Sequence, residues 1–337
     1  MHMADALISP TVGGTLWAAS SGAIAWCAKK VKATRDDRLI PLMGVLGAFI
    51  FTAQMVNFSV PGTGSSGHLV GGLILAILLG PHAAFLVIAS VLTVQSLFFA
   101  DGGLLALGCN IFNMGVFPIF IGYPLIYRPL ASGGGESRRW IAALLAAIIA
   151  MQLGALGVVL ETKASGVSAL PFKTFLLLMQ PIHLAIGVVE GLATAVIVGF
   201  VSSVRPEVLA SNPGMASNGK EWRSVCLGVL AAAILIGGIV SCYASKRPDG
   251  LEWAIAKLTG RPQLQSGADP VHDRMARLQE NTAILPDYQF QSAGSGSSAA
   301  LSAGKSGTSF SGILGGLITL VICGLIGFTL KSRRREA

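Results

Sequence analysis

The chemistry this sequence can do begins at its first two residues. Met1 offers an α-amine, and His2 offers a backbone nitrogen and an imidazole Nδ1. Once the amide gives up its proton, these three nitrogens can wrap one ion in two fused chelate rings. In-plane nitrogen donation suits a tetragonal or square-planar ion, which favours Ni(II) or Cu(II) over Mg²⁺ or Ca²⁺. One more donor is needed, and His68 is the natural candidate, because it follows the glycine-rich stretch PGTGSSG and opens a predicted helix. Singly, each histidine has a plain explanation: a second residue at a frayed terminus for His2, a polar helix start at an interface for His68. The pair carries more weight than either residue.

Polar side chains inside long apolar runs are costly and call for a partner or a cavity. Asn57, Gln95, Asn110, Asn113, Gln152, His183 and Glu190 are such residues, and Asn57, Asn110, Asn113, His183 and Glu190 form a second tier of candidate support for the site. His183 and Glu190 stand seven apart, two turns along one helix face, so they can serve one network. Interhelical hydrogen bonding is the simpler reading of that pair. His82, beside Pro81, reads as interfacial, and His272, between Asp269 and Asp273, as a solvated surface cluster. Two motifs fail on context. Gly62, Gly64 and Gly67 match G-x-G-x-x-G without a soluble βαβ unit, and AGKSG at 303–307 has Ala299 where a phosphate loop needs its first glycine. ATP binding is therefore not encoded here. The five cysteines are scattered singly in or beside apolar runs, without CxxC spacing, and read as packing residues.

The elements that must position these groups are hydrophobic helices. Of the 337 residues 53% are hydrophobic and 12% charged, and runs such as 39–60, 103–127 and 182–204 are long enough to cross a hydrocarbon core of roughly 30 Å. The 42 glycines suit close packing of helices in lipid. The expected fold is all-α, a polytopic membrane bundle of about nine helices, near 11–27, 39–60, 68–80, 83–99, 103–127, 140–160, 174–204, 223–243 and 312–330. The net charge of +8 lies in loops, where it reports topology rather than nucleic-acid binding. Alternating spans from an extracytoplasmic N-terminus gather Lys29, Lys30, Arg128, Arg138, Arg139, Arg205, Arg223 and the basic tail in the cytoplasm, leaving Lys163 and Lys173 in the short outer loops. No basic n-region precedes an apolar stretch at the start, so no cleavable signal is expected. The polar linker 205–222 divides a domain 1–204 from a two-helix module 223–337. That module's outer loop opens with KRPDGLEWAIAKLTG, a short amphipathic helix, and passes into GSGSSAALSAGKSG, a linker composition.

With MHMADALISP, PGTGSSGHLVGG, ADGGLLALGCNIFNMG, PIHLAIGVVEG and PDGLE in place, the sequence resembles the NikM/CbiM family, the nickel/cobalt substrate-binding components of energy-coupling-factor transporters. Residues 1 to about 204 look like the binding component, and 223–330 like its accessory subunit, here fused. The resemblance implies that Met1, His2 and His68 hold the metal, with Ni²⁺ or Co²⁺ as substrate and no permanent cofactor. It also implies a transmembrane coupling subunit and two cytoplasmic ATPase subunits as partners in a prokaryotic inner membrane, with no catalytic residues in this chain. Two other classes remain open on the residues: a scaffold or sensor with an incidental N-terminus, and an organic-solute carrier using Asn110, Asn113, His183 and Glu190.

Overall fold

The computed structural model describes residues 1–34, 39–204, 221–264, 269–290 and 297–332. A short 3-10 turn at Asp5–Leu7 leads to α1 (Pro10–Ala33), α2 (Leu39–Gln54) and an antiparallel hairpin of β1 (Phe58–Ser59) and β2 (Ser66–Gly67). Next come α3 (Gly72–Leu79) and α4 (Pro81–Phe99). One continuous segment, Leu107–Ala131, comprises α5 (Leu107–Ile111), a stretch of wider π turns (Phe112–Tyr127) and α6 (Arg128–Ala131). The π turns coincide with Pro118 and Pro124, which lack the N–H that an α ladder needs. Then follow α7 (Glu136–Ser165), α8 (Phe172–Val204), α9 (Glu221–Gly238), α10 (Gly250–Thr259), α11 (Pro270–Thr282) and α12 (Ser297–Ser332).

Among the described residues, six helical segments are long and apolar enough to cross a membrane: Pro81–Phe99, Leu107–Ala131, Glu136–Ser165, Phe172–Ser203, Arg223–Tyr243 and Ser306–Leu330. α2 is apolar but shorter. α1 has the length, 24 residues, but a polar composition ending in Lys29, Lys30 and Lys32. The run expected as a span at 68–80 is helical only over α3, eight residues, roughly 12 Å of helix. The residues before it are spent on the hairpin and on a turn at Gly71, whose φ of +76° suits glycine. The break before Pro81 is present: Gly80 ends α3, and Pro81 takes the first position of α4.

A second correction concerns the Gly/Ser stretch read as a linker. The chain is helical from Ser297, so AGKSG at 303–307 lies within α12 and forms no loop. Gly312 comes so close to the backbone of Gly237 on α9 that an added Cβ would collide with the Gly237 carbonyl oxygen. Such contacts let membrane helices pack without a hydrophobic effect between them. α12 packs on α2 and α9, and α9 on α2, so the helices of the second module join the bundle of the first. Most of the linker 205–222 lies outside the described residues.

Candidate metal centre

The first eight residues are packed rather than frayed: Met3 and Ile8 are fully buried, and Met1, at 5% exposure, nearly so. One side chain of α5 holds this segment. Asn110 accepts from the Met3 N–H at 2.8 Å and donates to the Met3 carbonyl at 3.2 Å, and the Gly103 N–H donates to that same carbonyl at 2.9 Å. Met1 and His2 are thereby fixed beside the loop that precedes α3. The His2 and His68 rings stack there with centroids 5.1 Å apart and an interplanar angle of 18°.

A hydrogen-bond relay sets the proton positions on His2. The Val70 carbonyl can only accept, so Gln54 must present its amide NH₂ to it at 2.8 Å. The Gln54 oxygen then accepts from the Gln95 amide at 2.8 Å, which turns the Gln95 oxygen toward His2 Nε2 at 3.1 Å. Nε2 must therefore carry the hydrogen, and Nδ1 keeps its lone pair. Nδ1 faces the Asp101 carboxylate at 3.3 Å, an arrangement that attracts positive charge. Asp101 in turn accepts from the Tyr288 hydroxyl at 2.6 Å. Burial, followed by the Asp101 charge, keeps that phenol well above its ordinary range and so a hydroxyl donor.

The same reasoning fixes His68. Its Nδ1 lies 2.9 Å from the Leu69 carbonyl, so Nδ1 carries the hydrogen, and Nε2, buried and without a hydrogen-bond partner, keeps its lone pair. Burial, then the Met1 amine and His2, push this imidazole down to about 3. It stays a neutral donor at physiological pH. Burial likewise lowers His2, against the opposing pull of Asp101.

Met1, His2 and His68 thus meet at one place, and the second tier divides around them. Asn110 holds the terminal segment. Glu190 on α8 accepts the Val70 and Gly71 N–H groups, both at 2.7 Å, which anchors the backbone just after His68. Asn113 donates to Glu161 at 2.8 Å and lies 3.9 Å from the Met3 sulfur. His183 donates Nδ1–H to the Met179 carbonyl at 2.7 Å, and its buried Nε2 has no partner. Asn57 stands apart, its carbonyl accepting the Ser245 N–H at 2.7 Å. Asn110 and Glu190 are therefore both engaged by backbone partners, and Glu190 also lines a small cavity with Met1, Val70 and Asn113. His82 packs edge-on against Trp26 at 4.8 Å, away from the centre.

The second module contributes residues that sequence reasoning did not place. The Met1 amine donates to Asp249 Oδ2 at 2.9 Å. Burial alone would raise the Asp249 carboxyl, but the Met1 ammonium and the Glu252 amide outweigh it and hold the group well below the usual carboxylate range. His272, read from sequence as part of a solvated surface cluster, is 5% exposed. Its Nε2 donates to the Ile8 carbonyl at 2.9 Å and lies 3.1 Å from that of Asp5, so it secures the terminal segment. The available signal was D-G-L-E: an N-cap Asp with Glu three residues on is a capping box, and α10 starts with one. Among the described residues no group of three or more His, Cys, Asp or Glu is arranged to hold a metal, so a metal here would have to recruit backbone and terminal nitrogens.

Fold and site together define a multi-pass helical membrane protein with a nitrogen-rich centre built around its own N-terminus. The chain belongs to the CbiM family, described as the cobalt uptake substrate-specific transmembrane region, whose profile matches residues 2–208, and the PDGLE domain profile matches residues 223–332. A fused NikMN protein of Archaeoglobus fulgidus is 33% identical over 100% of both chains. The fused nickel transport protein NikMN of Rhodobacter capsulatus is 30% identical over 86% of this chain and 88% of its own. A crystal structure described as a transition metal transporter is 30% identical and superposes with a TM-score of 0.54, covering 60% of this chain and 93% of that one.

Proposed function

We propose that this protein is the substrate-capturing membrane component of an ATP-driven importer of Ni²⁺ or Co²⁺. The ion is held by the Met1 amine, the deprotonated His2 amide nitrogen, His2 Nδ1 and His68 Nε2. The observation that carries this reading is the pair of imposed tautomers: the Val70–Gln54–Gln95 relay leaves His2 Nδ1 bare, and the Leu69 carbonyl leaves His68 Nε2 bare. Both lone pairs stand beside the terminal amine. Four nitrogen donors suit a square-planar ion. Capture releases one proton from the amine and one from the amide, so acid opposes it. Because the two rings are stacked, the His2 ring or the 66–71 segment must turn for both lone pairs to reach one ion.

The family membership and the metal-transport names of the relatives support the transport role. A coupling subunit and two ATPase subunits supply the energy in this proposal, since the phosphate-loop look-alike is helical. The N-terminus and the loop 244–311 face outward in a prokaryotic inner membrane, and residues 1–204 and 223–337 act as capture domain and accessory module. The test is the Ni²⁺ and Co²⁺ content of protein purified with its native N-terminus, set beside the His68→Ala variant. The native protein should carry about one ion per chain, and the variant should lose most of it while inserting normally; equal content in both would reject the ligand assignment.

A further inference from the structure

Asp249 meets the terminal amine from the other module, and its two oxygens are used differently. Oδ2 accepts from the Met1 amine at 2.9 Å, while Oδ1 caps α10 by accepting the Glu252 N–H at 2.8 Å. The neighbouring backbone fixes its position. The Ser66 N–H donates to the Pro248 carbonyl at 2.8 Å, tying this turn to the hairpin before His68. Gly250 sits so close to Ile182 and His183 that an added Cβ would lie 2.6 Å and 3.2 Å from them. The acid is therefore carried on a turn wedged between the His68 hairpin and α8, not on a freely moving chain.

We propose that Asp249 is the counter-charge and orienting partner of the metal centre, holding an N–H of the Met1 amine while the lone pair of that nitrogen turns to the ion. This rests on the reading above. The Met1 amine faces the Asp249 carboxylate at 2.9 Å, and His2 Nδ1 faces Asp101 at 3.3 Å, so a divalent ion taken up between these nitrogens would meet negative charge from both modules. Uncompensated charge in such a place is strongly unfavourable. A ligand nitrogen hydrogen-bonded to an outer carboxylate is also better oriented and a stronger donor. The accessory module thus completes the binding site and does more than cover it.

The cleanest variant is Asp249→Asn, because Asn caps a helix about as well as Asp; its one oxygen keeps the cap, while the charge and the acceptor that faces the Met1 amine are lost. Ni²⁺ titration of the full-length protein in detergent, followed by its d–d absorption, reads affinity and donor set together. The expected result is an affinity lower by about ten- to a hundredfold with the absorption band unmoved, since the four donors are unchanged. Asp249→Glu, which restores the charge, should recover most of that loss. Native affinity in Asp249→Asn, a shifted band, or equal losses in the Asn and Glu variants would overturn the proposal while the metal reading stands. Failure of the unaltered protein to take up Ni²⁺ would overturn the metal reading, and this inference with it.

Discussion

At the scale of single residues, the proposed function depends on which nitrogen carries a hydrogen. A carbonyl that can only accept decides the tautomer of His68 directly and that of His2 through two glutamines. Replacing Gln95 with Leu should release the His2 ring from this control and weaken Ni²⁺ binding by about tenfold, within the range seen for outer-shell changes. Isothermal titration would measure it, and unchanged affinity would show that the relay does not matter. The buried His68 also makes a prediction about pH. Its ordinary value of 6.5 falls to about 3 in the folded protein, so below 6.5 the unfolded chain takes up a proton that the folded chain refuses. Stability of the metal-free protein should fall as pH drops from 6.5 toward 3. Thermal unfolding in detergent between pH 7 and 4.5 should show that decline, and His68→Gln should flatten it. A variant that declines as steeply as the native protein would contradict this account of the burial.

At the scale of elements, the centre is assembled from a terminus, a hairpin, α5, α8 and the turn that opens α10. Glu190 is the link from α8, since its two oxygens take consecutive backbone N–H groups at the start of α3. Glu190→Ala should leave those donors without an acceptor, lower metal affinity and destabilise the protein by about 1–3 kcal/mol. Affinity and thermal stability measured together would check this, and a variant native in both would show the anchor to be dispensable. Much of this assembly was readable in the sequence. The apolar runs marked most helices, and the glycine loop ending in His68 pointed to a residue that the structure brings beside His2. The shortness of α3 was not readable, because its apolar run begins in residues that the structure places in the hairpin and the Gly71 turn. Nor was the helix from Ser297, whose small residues suggest a linker until Gly312 is seen against Gly237. His272 carries polar neighbours in sequence and buried ones in space, a difference that only the packing of α11 against the bundle creates.

At the scale of the whole molecule, both modules build the proposed site: Asp249, His272 and Tyr288 come from the second, and the proposed nitrogen donors from the first. This arrangement requires the loop 244–311 to lie on the same side of the membrane as Met1. Reporter fusions near 165 and 290 should report the outside, and a fusion after 30 the cytoplasm; a cytoplasmic signal at 290 would break the shared site. The central claim, that the terminal nitrogens themselves bind the ion, is tested most directly by extending the chain. A peptide added before Met1 removes the free amine and leaves every side chain unchanged, whereas the same peptide after Ala337 leaves the donors intact. Ni²⁺ binding by each protein, with its mass verified, should be lost in the first and kept in the second. Native affinity in the N-terminally extended protein would contradict the account.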